Sequence, residues 1–193
     1  MLSLLSLGCW ASAYPRVAYA AAQAREELPA AMTFDWTDEQ GATTQLSRWH
    51  GKTLLVTMAY STCRQVCSFT LHQLEELQKS ADRVGSPIEV VVISYDPNVD
   101  GPVTWSIYRR HHHLDRANWH FLTGSVANTR QFAAALEFPY WRYDEHLVHD
   151  FKILLIGPDG GIAKILTWAT RNDDFFTETA ANDASAGVQG RNQ

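Results

Sequence analysis

Apolar and polar positions along the chain alternate between two rhythms, and these rhythms predict the elements. Thr33-Phe34-Asp35-Trp36-Thr37 and Thr43-Thr44-Gln45-Leu46 alternate around Asp38-Glu39-Gln40-Gly41, which predicts a β-hairpin. Thr53 to Ala59 and Ile88 to Ser94 are almost wholly apolar and rich in β-branched residues, the pattern of strands covered on both faces. Between them Leu71, Leu74, Leu77 and Ala81 recur at three and four, which predicts an amphipathic helix. A second helix carries Trp105, Ile107 and Tyr108, with Asp100 suited to its N-cap and Pro102 to its first turn. Trp119 to Leu122 is a short strand, and Ser125 caps a third helix bearing Val126, Phe132, Ala133 and Leu136. Lys152–Ile156 and Ile162–Leu166 flank Gly157-Pro158-Asp159-Gly160-Gly161, a closing hairpin. Residues 173–181 are expected to form a last short helix.

The order βαβ, then α, then a β-hairpin and helix implies an α/β domain: a mixed central sheet flanked by helices, with an N-terminal β-hairpin. With 193 residues, 46% of them hydrophobic, the chain can bury one core. The expected layout is a signal peptide over 1–20, a linker over 21–32, the domain over 33–181 and a disordered tail over 182–193. The leader rests on a short apolar stretch from Met1 to Gly8 and on Ala18-Tyr19-Ala20, the A-x-A form of a signal-peptidase site. It places the protein in the periplasm or an otherwise exported setting; Leu7-Gly8-Cys9 raises a lipoprotein or membrane anchor, and with it membrane proximity. A formal net charge of −5 and the lack of a basic run argue against nucleic acid as a partner.

The candidate chemistry is concentrated in Tyr60-Ser61-Thr62-Cys63-Arg64-Gln65-Val66-Cys67, where a buried strand turns into a helix. Unpaired backbone N–H groups and the helix dipole favour thiolate there, so an unusually acidic thiol is expected. Positions i and i+4 on a helix have Cα atoms about 6 Å apart, close enough for a disulfide and for two sulfurs to share an ion. The spacing does not choose between them. With the leader removed, Cys63 and Cys67 are the only thiols left, which points to redox or metal chemistry. Thiols at a strand-to-helix turn make the thioredoxin-like fold the candidate.

A thiolate pair holds Cu(I), and a stable mononuclear site wants a further donor, commonly imidazole. His149 stands in Val148-His149-Asp150, in the stretch just before the strand Lys152–Ile156. In a thioredoxin-like fold that loop passes beside the first cysteine of the turn and carries a cis-proline, whereas here no proline lies between Pro139 and Pro158. His111-His112-His113 sits beside Arg109 and Arg110 at a helix end, where cations suit the dipole. His146 could substitute for His149 from the same loop, and His72, five residues past Cys67, falls away from the thiol face. Asp96 and Asp100 read as turn and cap residues, since carboxylates suit Cu(I) poorly.

The chain resembles the Sco/SenC family, copper chaperones of cytochrome c oxidase assembly. The resemblance is carried by the strand leading into Tyr60-Ser61-Thr62-Cys63-(x3)-Cys67, by Ser94-Tyr95-Asp96-Pro97-(x2)-Asp100-(x)-Pro102, by Trp119-(x)-Phe121-Leu122-Thr123-Gly124 and by His149-(x6)-Ile156-Gly157-Pro158-Asp159-Gly160. It implies a thioredoxin-like fold and copper, as Cu(I) or Cu(II), held by Cys63, Cys67 and His149. It also implies work on a respiratory oxidase copper-centre subunit or another copper-carrying protein. Where the family usually has prolines around its cysteines, this chain has Arg64 and Ser68. The alternative, from a different class, is a thiol–disulfide oxidoreductase in which Cys63 and Cys67 form the redox pair that keeps a client's copper-centre cysteines reduced.

Overall fold

The computed structural model describes residues 28–63, 66–144 and 146–170. The proposed leader, the final helix over 173–181, the tail, and Arg64 lie outside the described residues.

Five strands form the main sheet: β3 (Thr53–Ala59), β4 (Ile88–Ser94), β5 (Trp119–Leu122), β8 (Lys152–Ile156) and β9 (Ile162–Thr167), in the spatial order β5-β4-β3-β8-β9. β3, β4 and β5 run parallel, and β8 and β9 are antiparallel additions. The sheet is mixed, as the element order predicts. Six of the seven residues in β3 and six in β4 are buried, which is what a sheet covered on both faces demands. Helices α1 (Val66–Val84), α2 (Pro102–His111) and α3 (Val126–Ala135) supply the cover. Helix α1 turns Leu71, Leu74, Leu77 and Ala81 inward, and its buried Gln78 accepts hydrogen bonds from Trp119 Nε1 at 3.0 Å and Asn118 Nδ2 at 2.8 Å. Ser125 caps α3 as expected, accepting from the Asn128 N–H at 3.0 Å.

The N-terminal hairpin is present as two short strands, β1 (Trp36–Thr37) and β2 (Thr43–Thr44). Gly41, at φ 86°, sits in its turn, a conformation that costs glycine little. The hairpin is tied to the end of β5 by two backbone bonds between Thr37 and Thr123, and by the buried ion pair of Glu39 with Arg109. Upstream of it Leu28, Ala31 and Met32 are buried against the core, residues that the sequence pattern assigns to a linker.

Two local features depart from the sequence reading. Asp100 does not cap α2. The cap position is Gly101, without a side-chain bond, while the Asp100 carboxylate turns inward. The segment ahead of β8 is not a loop but a second hairpin, β6 (Tyr140–Tyr143) paired with β7 (His146–His149). Its aromatic and charged residues do not alternate cleanly, because three of the four β6 residues are exposed.

Register decides where the chemistry lies. Ala59 pairs with Ser94 at the carboxyl ends of β3 and β4. β8 runs antiparallel to β3, with Thr57 opposite Ile153, so the amino end of β8 lies beside the carboxyl end of β3. The segment leaving Ala59 and the segment entering Lys152 must therefore meet.

Candidate metal centre

Beyond Ala59 the chain makes a tight turn. The Cys63 N–H bonds the Tyr60 carbonyl at 3.2 Å, and the Cys67 N–H bonds Cys63 Sγ at 3.3 Å. Cys63 thus lies just ahead of α1 and Cys67 in its first turn, so the sulfur takes up an N–H group that the helix start leaves open. The turn is anchored from the next strand. The buried Asp100 carboxylate accepts from the Ser61 N–H at 3.1 Å, from Ser61 Oγ at 2.5 Å and from Ser94 Oγ at 2.6 Å. Burial outweighs these bonds and raises the Asp100 pKa above its ordinary value.

The β6–β7 hairpin leads into Lys152 and ends on His149. The His149 Nε2 lies 3.4 Å from Cys67 Sγ and 3.8 Å from Cys63 Sγ. The three donor atoms all fall within 4.8 Å of one another, the only group of three or more His, Cys, Asp or Glu side chains so placed among the described residues. His149 Nδ1 is 3.0 Å from the Asp150 carbonyl. A carbonyl can only accept, so Nδ1 carries the proton and the Nε2 lone pair faces the sulfurs. Fixing the ring through its other nitrogen is how proteins aim a histidine ligand.

The ring is boxed in. Tyr95 packs against it with centroids 4.7 Å apart, and Tyr60 meets it edge-on at 5.7 Å. Tyr60 also donates its hydroxyl to the Leu147 carbonyl at 2.7 Å, tying the end of β3 to β7. His149 is 5% exposed and Cys67 fully buried, while Cys63 is only partly buried and forms the open side. The expectation of an unusually acidic thiol does not hold for Cys67. Burial first, then the neighbouring Cys63, pushes its pKa well above the ordinary thiol value, and the start of a helix does not offset the loss of water.

Sequence reasoning names Cys63, Cys67 and His149, and the fold brings their side chains within 4.8 Å of one another. His146 begins β7, at the far end from His149, and is exposed. His111 and His112 pack on each other at 5.0 Å at the end of α2, outside the group. The supporting cast of Tyr60, Tyr95 and Asp100 escapes the sequence, because nothing in its local pattern says which ring or carboxylate turns inward. The only available signal is their position within the two motifs at the carboxyl ends of β3 and β4.

Two soft thiols and one imidazole, with an open side, suit a soft ion such as Cu(I) and leave room for exchange. The chain matches the SCO1/SenC family model over residues 22–182. It belongs to that family. A curated relative, the SCO1 protein homolog of Bacillus subtilis (strain 168), is 25% identical over 137 residues, which cover 68% of this chain and 70% of that one. Among solved structures, the SCO1/SenC family lipoprotein of Bacillus anthracis str. Ames superposes with a TM-score of 0.70 at 22% identity, covering 77% of this chain and 91% of that one. Arabidopsis thaliana ScoI, a structure with copper bound, gives 0.68 at 19% identity, covering 79% and 96%. These likenesses establish that this SCO1/SenC chain has the family's thioredoxin-like fold. No helix among the described residues is long and apolar enough to cross a membrane.

Proposed function

We propose that the protein is a copper chaperone that takes one copper ion on Cys63, Cys67 and His149 and passes it to the copper-centre subunit of a respiratory oxidase or to another copper-carrying protein. The observation that carries this reading is the convergence of the two sulfurs and His149 Nε2 within 4.8 Å, with Nδ1 already bonded to a carbonyl. Membership of the SCO1/SenC family and the copper in Arabidopsis ScoI support it. Copper is the cargo here. Three donors with one edge open to solvent can yield an ion by stepwise ligand exchange, which a closed four-ligand cage resists. Thiol–disulfide exchange with an oxidised partner, whose own disulfide is reduced to two thiols, would close the Cys63–Cys67 disulfide and remove two of the three donors, linking release to redox state. The A-x-A stretch and the lipoprotein relative support an exported or membrane-anchored protein.

A second reading keeps the same pair as a thiol–disulfide oxidoreductase. It is favoured by the partial exposure of Cys63, which an attacking sulfur needs, beside a buried Cys67 suited to resolve the mixed disulfide. Against it, no proline lies between Pro139 and Pro158, the stretch where the thioredoxin family carries its cis-proline, and His149 stands there beside both sulfurs.

An anaerobic Cu(I) titration against a competing chelator separates the two. The reduced parent should retain one copper ion, and His149→Ala should retain it more weakly while still closing the disulfide. A His149→Ala protein that holds copper like the parent but loses disulfide-reductase turnover would replace the first reading with the second.

A further inference from the structure

The face of the hairpin that carries His149 extends beyond the site, because Tyr140 pairs with His149 and Leu147 lies two residues before it. It forms one wall of a cavity of about 830 Å³, whose other walls are the outer side of α3 and the turn after β4. Tyr140, Arg142 and Leu147 lie on one face of the hairpin, since Leu147 pairs with Arg142 and strand side chains alternate. Trp141 points to the opposite face, yet it also touches the cavity. The cavity therefore curls around the outer edge of β6. Among the described residues that edge has no strand beside it, because β6 and β7 form a two-stranded sheet. The floor is apolar, built from Ala133, Phe138 and Tyr95.

Charge adds a preference. The Asp96 carboxylate is held by Arg142 at 3.3 Å, and the Glu137 charge acts on the largely buried Lys152. Arg130, exposed at the rim, has no carboxylate within ion-pair distance among the described residues. The groove thus offers a free strand edge, an apolar floor and one uncompensated cation.

We propose that this groove docks an extended acidic peptide segment of a partner protein, which pairs with the outer edge of β6, inserts alternate apolar side chains and sets a carboxylate on Arg130. Strand addition of this kind draws affinity from main-chain hydrogen bonds and specificity from the side-chain pockets beneath them. With four residues, β6 can pair three or four residues of the peptide. Tyr95 belongs to both places: its ring packs on Tyr140 at 5.0 Å in the groove wall and on His149 at 4.7 Å in the site. A docked peptide would press on the ring that holds the imidazole in place. The groove proposal stands independently of which ion the sulfurs take.

The test uses the full-length reduced protein and a displayed library of random heptapeptides. Enriched sequences should alternate apolar residues and carry one Asp or Glu. Synthetic versions should bind the parent, with affinity read by fluorescence polarisation, and should fail on Ala134→Trp, which fills the groove from an exposed position on α3. Arg130→Glu, a change on the surface that the fold tolerates, should reverse the preference from acidic to Lys-containing peptides. N-methylation of the peptide amides that face β6 should weaken binding by about five- to tenfold for each lost bond, and methylation of the outward amides should not. Failure to enrich any peptide, equal binding to a folded Ala134→Trp, or indifference to N-methylation would each overturn the proposal. So would concentration-dependent dimerisation abolished by Ala134→Trp, which would put a second copy of this chain in the groove.

Discussion

Replacing Tyr60 with Phe removes one oxygen from the molecule and tests how the imidazole is held. The Tyr60 hydroxyl donates to the Leu147 carbonyl, two residues before His149, and both residues are buried. Burial, and then the nearby thiols, raise the Tyr60 pKa far above the usual phenol value, so the donor stays protonated across the working pH range. Tyr60→Phe keeps the ring against His149 but leaves a buried carbonyl without its donor, a loss of about 1–2 kcal/mol. For a chain of this size that corresponds to a fall in Tm of about 2–4 °C for each kcal/mol. Among the described residues, the other polar tie of this hairpin to the body, Arg142 to Asp96, involves an arginine side chain that is 55% exposed, and such pairs contribute at most roughly 0.5–1 kcal/mol. The Tyr60 bond is thus the main polar restraint on β7. A hairpin that swings away more often presents all three donors less often, and apparent affinity falls with the competent fraction. Cu(I) retention against a chelator should drop about five- to tenfold in Tyr60→Phe and stay close to the parent in Arg142→Ala. Copper retention equal to the parent in a Tyr60→Phe protein whose Tm has fallen would refute the idea that this bond positions His149.

Other outcomes rest on the same geometry. At neutral pH iodoacetamide should modify Cys63 well before Cys67, because Cys67 is fully buried and its pKa is raised; peptide mass spectrometry after brief exposure reads the order, and equal labelling would contradict the burial. The raised Asp100 pKa means that its share of stability is present below the ordinary Asp value of about 3.9 and is lost as pH rises through the folded value. Asp100→Asn lacks that loss, so urea unfolding should show the variant gaining on the parent as pH rises above the ordinary Asp value, whereas a pH-independent gap would show that the carboxylate titrates normally. In Gly124→Ala the new Cβ would lie 2.6 and 2.7 Å from atoms of the Trp36 ring, which is itself buried against Phe132. Thermal melts should place the cost at about 1–3 kcal/mol, and a neutral effect would mean that Trp36 can move aside.

The sequence alone determines much of this protein, because its strongest signals are local and periodic. The apolar runs at 53–59 and 88–94 can satisfy their burial only as inner strands, and the 3–4 spacing from Leu71 to Ala81 only as a helix on one face of a sheet. Cys63, Cys67 and His149 are legible as candidates because thiols and imidazoles have few uses at such junctions. Tertiary structure decided the rest. The antiparallel register of β8 against β3 turns an 82-residue separation into a 3.4 Å contact between Cys67 and His149. Burial, which depends on what packs over a residue and not on its neighbours in the chain, reversed the expected acidity of Cys67 and turned Asp100 from a helix cap into the anchor of the cysteine turn. The β6–β7 hairpin stayed hidden for a related reason: it is held by its partner strand and by Tyr60, and neither contact leaves a period in the sequence.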